Sequence, residues 1–165
     1  MSVEVCEECG FDGSAWSDAD AIAAVAALPG RWSEAIDGLT DADLQRRPIP
    51  TMWSIVEYAD HVREVLFGMR FLSDTAVGAP GTDLGHAPEP VFAPEPRPID
   101  IGAALSGLSA EAEQLTAALA AAPPTAWDSI VVVDGERVDL HWIVRHAVHD
   151  PTHHLRDVAR LRAAL

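Results

Sequence analysis

The sequence predicts an all-α protein: a four-helix bundle with a long proline-rich crossover and a small β-hairpin before the last helix. Four segments repeat apolar residues at the three-and-four spacing of a helix buried on one face. Pro and Gly punctuate the chain between these segments. One short stretch, 130–138, sets β-branched residues on either side of an Asp-Gly pair, a hairpin signal. At 165 residues the chain is expected to be a single domain, 1–165, able to bury a substantial core without disulfides.

The elements follow in order. Residues 1–16 form a leader carrying Cys6 and Cys9. Ser17 is placed to cap a first helix through Ile22, Val25, Leu28, Trp32, Ile36 and Leu39, which Pro29-Gly30 should bend or interrupt. Pro48 and Pro50 precede a second helix that begins near Thr51 and fades around Val77. Its apolar face reads Ile55, Tyr58, Val62, Val65, Leu66, Met69 and Leu72. From 78 to 98 the run of Pro80, Pro88, Pro90, Pro94, Pro96 and Pro98 reads as an extended crossover within the domain. A third helix carries Ile101, Leu105, Leu108, Ala112, Leu115 and Leu119, and Pro123-Pro124 stops it. After the hairpin, Leu140, Val144, Ala147, Leu155, Val158, Leu161 and Leu165 mark the last helix, where Pro151 predicts a kink.

Charge and hydropathy exclude two classes of partner. A formal charge of −15 opposes nucleic-acid binding, whose affinity comes from neutralising phosphates with Lys and Arg. No apolar run reaches the ~18 residues of a membrane span, and the N-terminus lacks the basic and apolar regions of a signal peptide. The expectation is a cytoplasmic protein with no nucleic-acid or membrane partner, its charge serving solubility. The Ala-rich, Lys-free composition points to a GC-rich bacterial genome.

Chemistry concentrates in His149-Asp150-Pro151-Thr152-His153-His154. Residues four apart share a helix face, so the run offers two chelating pairs, Asp150 with His154 and His149 with His153. The apolar stripe favours the first. At roughly 100° per residue, His154 falls at its edge and Asp150 on its flank, whereas His149 lies opposite and His153 largely outward. His61, flanking the second helix's apolar face, is the best third donor. Two imidazoles and a carboxylate suit zinc, nickel, iron(II) or manganese and leave positions open for water or substrate. A structural alternative has Asp150 capping a helix that starts at Pro151.

Other residues invite assignments around this set. Glu57, one turn before His61, is placed to hold the other imidazole nitrogen, and Tyr58 is a pocket residue or a core aromatic. His141 and His146 read as outward or supporting groups, and Arg145 and Arg156 as surface arginines able to meet an anionic substrate. The five tryptophans read as core or interface anchors. Cys6 and Cys9 supply half of a possible second zinc site, with His149 or His153 as conceivable partners. Glu4, Glu7 and Glu8 around them should disfavour the thiolate that disulfide exchange requires.

Trp53-Ser54, Glu57 and His61, together with a late helix carrying a ligand four residues before the second His of a His-His pair, resemble the DinB/YfiT-like superfamily of metal-binding four-helix bundles. The resemblance covers most of the chain. It implies a divalent metal, zinc or nickel foremost, held by one His of the second helix and two residues four apart on the last. His61, Asp150 and His154 occupy those places. Many members carry His where Asp150 stands, while the related mycothiol-dependent maleylpyruvate isomerases use an acidic residue there. The resemblance further implies a metal-dependent enzyme that activates a low-molecular-weight thiol, of the mycothiol or bacillithiol type, against a small electrophilic substrate. Metal-dependent hydrolysis by bound water and noncatalytic metal or small-molecule binding are the alternatives. By analogy the protein is expected to be a homodimer.

Overall fold

A computed structural model describes residues 3–88 and 92–165, so Met1, Ser2 and Pro90 lie outside the described residues. The leader forms a minimal antiparallel hairpin, β1 (Val5–Cys6) with β2 (Phe11–Asp12). The helices are α1 (Asp18–Ile36), the short α2 (Asp41–Gln45), α3 (Ile55–Gly78), α4 (Ile101–Ala121) and α5 (Leu140–Ala163). A second hairpin, β3 (Val131–Val133) with β4 (Glu136–Val138), precedes α5. Asp134 and Gly135 turn it with φ of 54° and 77°; positive φ at both central residues matches the right-handed twist of the strands.

Four long helices make the bundle. α3 packs against α4 and α5, and α1 closes the ring against the same two helices. α1 and α3, consecutive long helices in sequence, therefore stand on a diagonal, as do α4 and α5. This arrangement makes α3 and α5 neighbours and sets His61 opposite Asp150 and His154. Leu28, Trp32, Ile55, Leu66, Leu108, Leu115, Ile143 and Leu161 are fully buried at its centre. Each such side chain contributes roughly 1.5–3 kcal/mol.

Several boundaries depart from expectation. α1 runs unbroken through Pro29. Pro29 forgoes one backbone hydrogen bond, at a cost of about 3 kcal/mol, but Leu28 and Trp32, buried on either side of it, hold the second half in line. α5 likewise continues through Pro151, itself buried, so Asp150 caps nothing; Asp139 is the N-cap, accepting from the Trp142 amide. α3 starts at Ile55 rather than Thr51, because Ser54 and Glu57 form a capping box. In the crossover, residues 81–85 hydrogen-bond to residues 130–134 beside β3, with a parallel bridge between Asp83 and Val132. Leu155 on α5 is half-buried, and Leu165, expected on the last helix, lies beyond its end at Ala163 and is exposed.

Candidate metal centre

α3 and α5 bring three expected donors together. One ligand atom each from His61, Asp150 and His154 lies within 4.8 Å of the others. His61 Nε2 stands 3.7 Å from Asp150 Oδ1, and His154 Nε2 stands 3.7 Å from Asp150 Oδ2. Ligand bonds of about 2.0–2.2 Å place donor atoms of a tetrahedral ion roughly 3.4 Å apart, a few tenths of an ångström shorter than each of these two separations. Asp150 Oδ1 is buried and has no hydrogen-bond partner. A buried carboxylate oxygen without a partner is costly, and an ion between the three side chains would satisfy it.

Neighbours fix the orientation of the donors. His154 Nδ1 donates to Asp157 Oδ2 at 2.9 Å, leaving Nε2 with its lone pair toward Asp150. Burial, outweighing the attraction of Asp150 and Asp157, lowers the His154 pKa and favours the neutral, ligating form. For Asp150, burial acts upward, but His61 and His154 hold it on balance below the usual carboxylate range. The Trp53 indole lies 5.1 Å from the His61 ring, so this tryptophan walls the site as well as packing at the helix start. The Tyr58 ring lies 4.8 Å from His154. Burial and then the Asp157 charge push its hydroxyl up to about 12, so it stays protonated and neutral.

Glu57 does not support His61. Its carboxylate accepts from Arg47 Nε at 2.8 Å and from the Ser54 amide at 2.8 Å, and the Arg97 amide adds a third bond. Burial raises the Glu57 pKa, yet these donors bring it down to about 2. The pair braces the start of α3, and Arg47 also reaches the Ala93 carbonyl of the crossover. Arg47 carries no spacing signal in the sequence, because it reaches Glu57 from the irregular segment between α2 and α3.

The other histidines and arginines are engaged elsewhere. His141 bonds Asp18 at 2.9 Å, and His146 and His149 bond Glu4 at 3.0 and 2.8 Å. Arg145 is not free to greet a substrate: it donates to the Trp16 and His141 carbonyls and pairs with Asp18. A cavity of about 240 Å³ lies beside these groups, between the leader and α5, rather than at the triad. His141 and Arg145 in its lining are already paired, so it offers little chemistry. His149 and His153 turn away from the triad toward the leader, where one atom from each lies within 4.8 Å of the Cys6 and Cys9 sulfurs. The two α5 pairs thus face two different clusters, on different sides of one helix. The acidic leader does not suppress the Cys6 thiolate. The Cys9 backbone amide, foremost, lowers the Cys6 thiol to about 6, while burial raises that of Cys9.

Among the described residues no helix is long and apolar enough to cross a membrane. Among solved structures, the chain is similar to YfiT from Bacillus subtilis, described as a probable metal-dependent hydrolase with an unusual four-helix bundle topology. The match has 14% identity and a TM-score of 0.71, and covers 99% of this chain and 93% of that one. At that identity the likeness establishes the fold. No curated protein matches the chain. The model of the DinB superfamily matches residues 24–158, a span that holds His61, Asp150 and His154 and begins after the cysteine leader, and the chain belongs to that superfamily.

Proposed function

We propose that this protein is a divalent-metal-dependent enzyme that activates a low-molecular-weight thiol for attack on a small electrophilic substrate, by transfer or by isomerisation. The unpartnered buried Oδ1 of Asp150, 3.7 Å from His61 Nε2, with Oδ2 3.7 Å from His154 Nε2, carries the metal assignment. His61, Asp150 and His154 would hold the ion, which would supply Lewis-acid chemistry toward a thiol or water. Asp157 keeps His154 Nε2 aimed inward. Tyr58 presents a neutral hydroxyl able to donate a hydrogen bond to charge developing on the substrate. Trp53 and Tyr58 provide apolar walls that exclude water from the reacting atoms.

The thiol reading rests on the carboxylates around the triad. Glu57 is bound by Arg47, Asp60 by Arg63 and Arg97, and Asp157 by His154 and Arg160. None of these is poised as a free general base for an attacking water. A thiol, with an ordinary pKa of about 8.5, ionises more readily than water and needs less help. Hydrolysis is the second reading, favoured by the description of YfiT as a probable metal-dependent hydrolase.

Zinc- and nickel-loaded protein should be assayed with a chromogenic aryl halide plus a panel of small thiols, and with chromogenic esters and anilides without thiol. Thiol-dependent turnover abolished in His61→Ala supports the proposal. Thiol-independent ester or amide cleavage moves the function to hydrolysis. Full metal occupancy with neither activity leaves a noncatalytic metal or small-molecule binding protein.

A further inference from the structure

We propose that Cys6, Cys9, His149 and His153 form a second, closed zinc site that clamps the leader onto α5, directly behind the triad. One ligand atom from each of the four lies within 4.8 Å of the others. Cys6 Sγ stands 3.7 Å from His153 Nδ1. With Zn–S near 2.3 Å and Zn–N near 2.0–2.1 Å, a tetrahedral ion sets sulfur and nitrogen roughly 3.6 Å apart, so this edge of the tetrahedron is already at its length.

Each donor is prepared from behind. His149 Nδ1 donates to Glu4 Oε1 at 2.8 Å, and its Nε2 is buried with no partner. A second nitrogen held by a carboxylate is the usual support of a zinc-bound imidazole. His153 turns Nδ1 to the cysteines while its Nε2 lies 3.8 Å from Glu8. Backbone amides of Cys9 and Phe11 point at the sulfurs of Cys6 and Cys9, respectively. The turn between the cysteines closes with Gly10 at φ 75°, its amide bonded to the Cys6 carbonyl at 2.8 Å. Two thiolates and two neutral imidazoles complete the shell and leave no position for substrate, so the site is structural. Both thiols are free in the structure, as ligation requires.

The assignment stands independently of the function proposed above, and cobalt tests it. The untagged full-length protein, reduced and loaded with cobalt(II), should show a near-ultraviolet sulfur-to-cobalt charge-transfer band and the intense visible bands of a tetrahedral ion. The triad has no sulfur and contributes none of the former. Cys6→Ser/Cys9→Ser should lose the charge-transfer band and about one equivalent of zinc, keeping the metal that His61→Ala removes. His153→Ala should lose the same equivalent, and His153→Cys should restore it with a stronger charge-transfer band. Circular dichroism confirms that each variant keeps its helices. Absence of a charge-transfer band from reduced wild-type protein at excess cobalt overturns the proposal, as does zinc stoichiometry unchanged in the folded double-cysteine variant.

Discussion

Asp157 shows how one side chain acts at a distance from the chemistry. It holds His154 Nδ1 at 2.9 Å, and so decides which nitrogen faces Asp150. Asp157→Asn should weaken metal binding about 10–100-fold with the helix content unchanged; competition against a chelating dye measures it, and unchanged affinity would remove Asp157 from this role. Glu57 illustrates the opposite case, a charge buried for architecture. Arg47→Met leaves its carboxylate buried without an ionic partner, which should cost about 3–5 kcal/mol in urea unfolding at neutral pH. The pH dependence has a definite sign. Glu57 titrates near 2 in the folded protein, below its ordinary 4.5, because the bonds from Arg47, Ser54 and Arg97 outweigh its burial. Its contribution is complete above about pH 4.5 and lost as the pH falls toward 2. Glu57→Gln should flatten the stability profile in that window.

Helices tolerate proline here for reasons visible only in the packing. Pro29 sits between buried Leu28 and Trp32, and Pro151 is itself buried three residues after Val148. In α1 the tertiary contacts override the local preference, so Pro29→Ala should return a backbone hydrogen bond and stabilise the fold by about 1–3 kcal/mol. Urea unfolding of that variant checks it, and destabilisation would mean that the ring's packing outweighs the missing bond. The same distinction explains which elements could be read from the sequence. The four long helices were legible because each buries one stripe, and the second hairpin because Asp134-Gly135 can adopt positive φ. α2 was overlooked although Thr40 and Asp43 form a capping box, since five residues show no periodicity. The two-residue strands of the leader have even less pattern, and their pairing depends on the turn at Gly10 and on contacts with α5.

At the scale of the whole molecule, the two donor sets meet on α5. His61, Asp150 and His154 could be chosen from helix phase and family resemblance. That His149 and His153 serve a different set than Asp150 and His154 needed the position of the leader, which no spacing encodes. The triad joins α3 to α5 and the cysteine cluster joins the leader to α5, with His149 beside Asp150 and His153 beside His154. Filling either site should therefore stabilise the bundle. Zinc at a hundredfold excess over the dissociation constant of one site contributes about 2.7 kcal/mol, or roughly 5–10 °C in Tm for a chain of this size. The sites should also favour each other. Zinc with two thiolates is neutral and does not repel a second cation, while it fixes the α5 turn that presents Asp150 and His154. Emptying the leader site with Cys6→Ser/Cys9→Ser should lower zinc affinity at the triad by a coupling of about 0.5–3 kcal/mol, the range for groups that share a backbone segment. Calorimetric titration of the double-cysteine variant against wild type with the leader site already filled measures that difference. Equal triad affinities would show that α5 holds its own geometry through Pro151 without the clamp.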